Sequence, residues 1–275
     1  MQIENWKLKI GQYTLPDFFF LISFFFFLSS FIFSQTNSAQ KTTDDIFAET
    51  DQRNYGDGAS TIYKNEHSGA LLVHSFGWGG NFRKGKHITA KLRSIYSIEA
   101  VGMKHPKEYK SYNPHNGNNK GYVYGKLNTL TIFRPAAGIQ KIMFTKEGKR
   151  GVQVSYVLLG GVSLGFVKPV YLEIDQGRSL PPRTEKHDPE KQSQADILGR
   201  SPILKGVDEG KIYPGLHSKI GFNFEYAPQE NIIRAIETGI AVDAFYKPVP
   251  MMAYFENKQF FITYYVSWHF GKKSF

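Results

Sequence analysis

The chain has 275 residues, no cysteine, and a formal charge of +10, from 34 Lys and Arg against 24 Asp and Glu. Without cysteine, neither disulfides nor thiolate metal sites can form, and the length admits one large domain or two small ones. The positive balance raises nucleic acid as a partner, but the N-terminal segment opposes it. There Lys7 and Lys9 precede an apolar run, 18–33, broken only by Ser23, Ser29 and Ser30. At about 1.5 Å per residue the run falls short of the ~20 residues of a helical membrane span. Small and polar residues follow at 34–39, as at a signal-peptidase site, so residues 1–39 read as a signal peptide; an uncleaved anchor is the alternative. An exported basic protein meets lipid phosphates and lipopolysaccharide rather than nucleic acid.

Residues 40–66 are polar, with Tyr55-Gly56-Asp57-Gly58, and read as a loose lead-in. From there to residue 275 the pattern is strand after strand. Side chains of a strand alternate between two faces. Expected strands lie near 68–80, 87–102, 122–134, 138–144, 151–168, 218–227, 232–247 and 259–271. In 87–102, Ile88, Leu92, Tyr96 and Ile98 oppose Lys91, Arg93 and Glu99. In 151–168, one parity holds from Val152 to Phe166 across Gly160-Gly161. A hairpin there would put Ser163 on the apolar face, so a continuous strand fits better. The connection 172–217 is charged and proline-rich, and Asp188-Pro189-Glu190 reads as the start of a helix closing at Gly199. Beyond it, Ile220, Phe222, Phe224 and Tyr226 oppose Lys219, Gly221, Asn223 and Glu225. Ile236, Ile240 and Val242 oppose Glu237 and Asp243, with Arg234 on the apolar side. In the last strand Phe260, Ile262, Tyr264, Val266, Trp268 and Phe270 share one face, opposite Phe261, Thr263, Tyr265, Ser267 and His269.

Faces of this kind suit a soluble sandwich or a membrane barrel. A lipocalin-like barrel fits worst, because Lys91, Arg93, Glu225, Glu237 and Asp243 cannot fill a dry interior unpaired. Long strands, short alternate connections and aromatics near strand ends (Tyr156, Phe166, Tyr226, Tyr246, Trp268, Phe270) favour the membrane. The expected fold is an all-β, antiparallel transmembrane barrel of about eight strands over 67–275, with 40–66 as a periplasmic lead-in. The 172–217 connection becomes one long extracellular loop, and 103–121 falls on the periplasmic side.

Three segments carry a family likeness: Val101-Gly102-Met103-Lys104-His105-Pro106-Lys107-Glu108, Val123-Tyr124-Gly125-Lys126-Leu127-Asn128 and Ser163-Leu164-Gly165-Phe166-Val167-Lys168-Pro169. With the closing Phe270-Gly271-Lys272-Lys273, they resemble small outer-membrane β-barrel proteins of Gram-negative bacteria, a largely uncharacterised family. The resemblance implies location in the cell outer membrane and a last strand read by the barrel-assembly machinery through Phe270. It supplies no catalytic residue.

Of the Ser–His pairs, His67-Ser68, His74-Ser75 and His217-Ser218 are adjacent in sequence and point to opposite faces. Only Ser267 and His269 share a face, with Glu237 or Asp243 on the next strand; an outer-membrane lipid hydrolase would need such a set. That face should point to the lumen, so a hydrogen-bond network is the expected role. The lumenal set Lys91, Arg93, Glu99, Lys219, Glu225, Glu237 and Asp243 could line a small-solute channel. Its mixed signs favour a packed salt-bridge plug, since about eight strands leave room only for side chains. The segment 104–120, with Lys104, Lys107, Lys110, Lys120, His105 and His115, reads as a solvated loop; those two His lack further metal ligands. Gly77, Gly79 and Gly80 around Trp78 precede no helix and mark a strand end rather than a phosphate loop. The expectation is therefore a non-enzymatic protein with no catalytic, cofactor or metal site, and a structural, adhesive or envelope-assembly and transport role. Its expected partners are outer-membrane lipids and lipopolysaccharide, the assembly machinery, and an envelope protein.

Overall fold

The computed structural model describes residues 65–113, 120–145, 151–176, 181–226 and 231–274. Residues 1–39, expected to be a signal peptide, and nearly all of the expected lead-in 40–66 lie outside these residues. The strands are β1 (Asn65–His74), β2 (Gly77–His87), β3 (Leu92–Met103), β4 (Asn128–Phe144), β5 (Gln153–Pro169), β6 (Tyr171–Ile174), β7 (Arg183–Lys186), β8 (Ile197–Arg200), β9 (Lys211–Glu225), β10 (Ile232–Phe245) and β11 (Phe260–Ser274). Eight of them close into an antiparallel barrel in the order β1-β11-β10-β9-β5-β4-β3-β2, while β6, β7 and β8 form a separate three-stranded sheet.

The expected count of eight holds through two compensating corrections. The segment 68–80 is not one strand: a two-residue turn at Ser75-Phe76 splits it, and His74 pairs with Gly77. Ser-Phe carries none of the Asn-Gly or Gly-X chemistry that marks such hairpins, so the turn leaves no local signal. Conversely, 122–134 and 138–144 are not two strands but parts of the single β4. Pro135 lies within β4 on its outer side. The ladder to β5 passes from Phe133–Leu164 to Ala136–Gly161, skipping Arg134 and Pro135 while keeping its register. A proline has no N–H to donate, and only that short stretch of pairing is lost. β5 runs unbroken through Gly160-Gly161, as the parity required.

The extra hairpin reassigns the ends. The connections 88–91, 145–152 and 226–231 lie at one end with Asn65 and Ser274. The turn 75–76 and the connections 104–127, 170–210 and 246–259 lie at the other. Short periplasmic turns and long external loops are the habit of outer-membrane barrels. The stretch 103–121 therefore shares the external end with the long loop, contrary to the sequence expectation.

The barrel is inside-out relative to a soluble protein. Leu71, Ile98, Phe222 and Ile262 are 50–64% exposed on its outer wall. Arg134, Lys219, Glu237 and Asp243, inside, are at most 1% exposed. An apolar wall of this extent needs lipid against it. Apart from the short gap at Arg134 and Pro135, paired strands run around the closed sheet, as a membrane span requires. The molecule is a transmembrane β-barrel of the outer-membrane type. The six aromatics expected at the interfaces all lie on the outer side, Tyr156 and Phe166 half-buried and the rest exposed.

Candidate functional site

Inward positions of all eight barrel strands meet in one polar network. Arg134, on β4, grips Asp243 on β10 with two nitrogens, at 3.0 and 2.5 Å, and reaches Glu99 on β3 with the third at 2.5 Å. Lys219 of β9 donates to the other oxygen of Glu99 at 2.8 Å. Arg83 of β2 makes a two-pronged contact to Glu237 at 2.7 and 3.1 Å, and the Tyr265 hydroxyl donates to the same carboxylate at 3.0 Å. Nearer the periplasmic end, Arg93 lies 3.0 Å from Glu66 and 3.7 Å from Glu225, and Lys273 donates to Glu225 at 2.6 Å. Five cations thus face five carboxylates. Bidentate guanidinium–carboxylate geometry is the arrangement that best offsets the cost of burying charge. Gly221 leaves room for the arrangement: a Cβ there would strike the Tyr265 hydroxyl. The Tyr265 ring in turn lies 3.9 Å from the Lys219 ammonium, a cation–π contact strengthened by desolvation.

Sequence parity placed Arg93, Glu99, Lys219, Glu225, Glu237 and Asp243 here correctly. Lys91 is a correction: it is exposed in the 88–91 turn, where the strand predicted to carry it has not begun. Arg83, Arg134 and Glu66 escaped detection because β2 and β4 were misdivided and Glu66 lay in the presumed lead-in.

Ser267 and His269 do share the inner face, with Ser267 Oγ 3.0 Å from His269 Nε2. The same Nε2 lies 3.8 Å from Glu237. In a nucleophile relay the acid holds the opposite ring nitrogen. Ser267 is 0% and His269 2% exposed, so neither lipid nor solvent reaches them. A second set, Ser163 and His217, converges on Asp243 at 2.5 and 3.0 Å, but there the carboxylate stands between serine and histidine. The His105 ring lies tilted against Phe255, and its Nδ1 accepts the Lys107 N–H; His115 lies outside the described residues. Among the described residues no group of three His, Cys, Asp or Glu side chains has metal-binding geometry.

The external mouth is closed by chain. The β10–β11 connection folds over it and buries Val249, Met251 and Met252 against Leu72, Met103, Leu130, Val167, Phe245 and Phe261. Backbone bonds pin this stopper: the Leu127 N–H donates to Met251 O at 2.9 Å, and the Ala253 N–H to Gly125 O at 2.9 Å. No strand periodicity announces it, because it is apolar sequence in a connection.

Above the stopper, the described parts of two connections, 104–113 with 120–127 and 170–176 with 181–210, form a cap. Tyr122, Leu172 and Ile197 make its small core. The Asn113 side-chain amide donates to the carbonyls of Ala195 and Ile197, and the hydroxyls of Tyr124 and Tyr254 both donate to Pro189 O. The helix expected from Asp188 to Gly199 is absent. Residues 189–191 make one turn, 194–196 a short 3-10 helix, and Ile197 enters β8 beside β6. Competition from the sheet and from Gln192, which turns back to His187, ends the helix after that turn. His187 is buried; its Nδ1 donates to Gln192 Oε1 at 2.9 Å and its Nε2 accepts the Gly125 N–H at 3.0 Å. Burial pushes this imidazole below its usual pKa, and the accepted N–H fixes the neutral tautomer.

The sequence matches no protein-family model and no curated protein. Among solved structures, the attachment invasion locus protein Ail of Yersinia pestis, crystallised with the heparin analogue sucrose octasulfate, is 10% identical with a TM-score of 0.36. That match covers 77% of this chain and 98% of Ail. Neisserial surface protein A is 12% identical, TM-score 0.36, covering 77% of this chain and 96% of its own. A major outer membrane protein of Thermus thermophilus is 7% identical, TM-score 0.38, covering 77% and 100%. The chain's own closed sheet, apolar wall and charged interior are what identify it as a membrane-spanning barrel.

Proposed function

We propose that this chain is a non-enzymatic barrel of a bacterial outer membrane whose lumen is a structural core and whose working surface is the external cap. The observation that carries this reading is the double closure of the lumen, by a charge-balanced network and by the 246–259 stopper. An eight-stranded barrel filled in this way leaves no path for solute. What remains accessible is the stitched cap, which suits an adhesive, structural or envelope-assembly role with an external or envelope protein partner. Exposed Phe270 on the outer wall of β11 suits recognition by the assembly machinery, and the basic surface suits lipopolysaccharide.

Purified protein in planar bilayers is expected to give no conductance steps; regular single-channel steps would replace this reading with a channel. Membrane fractions should contain a band whose gel mobility changes on heating, and a soluble band of unchanged mobility would sink the location. Lipid A from cells with and without His269→Ala is expected to have the same mass profile. A deacylated species dependent on His269 would establish the hydrolase instead.

A further inference from the structure

All five carboxylates of the eight barrel strands, Glu66, Glu99, Glu225, Glu237 and Asp243, point inward. The outer wall at the short-turn end carries the opposite sign alone. Lys84 on β2, Lys141 on β4, Arg234 on β10 and Lys272 on β11 each lie exposed, within three residues of that end of their strand. None forms a side-chain hydrogen bond or ion pair among the described residues. The external end differs: there Lys126 is held by Glu108, Lys120 by Glu173 and Lys186 by Glu209.

Register makes part of this ring contiguous. Lys84 is the cross-strand partner of His67, and His67 the partner of Lys272. Arg234 pairs with Phe270, one step along the same face of β11 from Lys272. Lys84, His67, Lys272 and Arg234 thus form one patch over four adjacent strands, β2-β1-β11-β10. Lys84 and Lys272 flank His67 on either side and Arg234 lies diagonal to Lys272, a spacing that long side chains can bridge to share one anion. The His67 and Phe82 rings, stacked at 6.4 Å, and Phe270 lie beside the patch, as aromatics do at headgroup level.

We propose that this patch is a binding site for anionic phospholipid, whose phosphate sits among Lys84, His67, Lys272 and Arg234. The assignment to the inner leaflet rests on the outer-membrane orientation argued above; the lipid preference does not.

The test places the full-length protein in nanodiscs of equal phosphatidylglycerol and phosphatidylcholine and counts retained lipids by native mass spectrometry. Wild type should retain phosphatidylglycerol preferentially. Lys272→Gln and Arg234→Gln should each lower that preference up to about five-fold, from ~1 kcal/mol per basic residue. Lys191→Gln, in the cap, should leave it unchanged. Equal retention of the two lipids by wild type, or an undiminished preference in the double variant, would overturn the proposal. Heat-dependent mobility of each variant shows that the barrel has formed. A protease site inserted in the 88–91 turn and cleaved in intact cells would reverse the orientation while leaving the lipid preference standing.

Discussion

The lumen and the cap both enclose polar groups, by different means. In the lumen, charges from different strands are paired, some across the barrel, as Arg134 of β4 is with Asp243 of β10, and some between neighbouring strands, as Arg134 is with Glu99 of β3. In the cap, short strands, backbone carbonyls and one neutral histidine do the work around a core of three buried residues. The lumen network cannot lose a member without stranding a buried charge. The cap is joined to the barrel mainly through hydrogen bonds and the stopper, so it can loosen while the barrel stands. Local stability should therefore fall from membrane to cap, leaving the surface most free to change where partners can reach it.

The largest effect should come from the lumen. Arg134→Met leaves Asp243 and Glu99 without their guanidinium and should cost about 3–5 kcal/mol, read as a lower urea midpoint for loss of the heat-modifiable band. A shift under ~1 kcal/mol would mean that the network is not what holds the barrel. Next comes the stopper: Met251→Ala removes a side chain that is 2% exposed and should cost about 2 kcal/mol or more. Protease should then cut between 246 and 259 faster than in wild type, with the barrel still folded.

A smaller, pH-dependent effect should be confined to the cap. Because the folded-state pKa of His187 is lowered by burial, its stabilisation is complete above the unfolded value, near ~6.5. It is lost as pH falls through that value, since only the unfolded state then takes up the proton. Limited proteolysis of the cap should accelerate between pH 7 and pH 5 (about one hydrogen bond's worth, ~1 kcal/mol), and His187→Gln should flatten that dependence. An identical pH profile in the variant would remove His187 from the account. The smallest change is expected of Lys120→Ala, whose half-exposed pairing with Glu173 should be worth no more than about 0.5 kcal/mol; a larger loss of cap stability would show that surface charge matters there.

Much of the barrel was legible because lipid imposes a strict period of two. The pattern in β9, β10 and β11 placed Lys219, Glu225, Glu237 and Asp243 inside, and put Ser267 beside His269. Where the chain broke the pattern quietly the reading failed. Ser75-Phe76 turns without turn residues, and Pro135 sits in a strand that tolerates it on the outer side. Those two positions hid Arg83 and Arg134, the two arginines that tie the network together.

By itself the sequence determined a strand-built chain with one apolar and one polar face, because alternation is a local property that every solution of the fold must respect. Which polar groups meet, which end is sealed, and that Val249, Met251 and Met252 stop the mouth were decided only by closure of the sheet. Closure brings β1 against β11 and β5 against β9, and it is this long-range register, absent from any local window, that pairs each buried charge with its opposite.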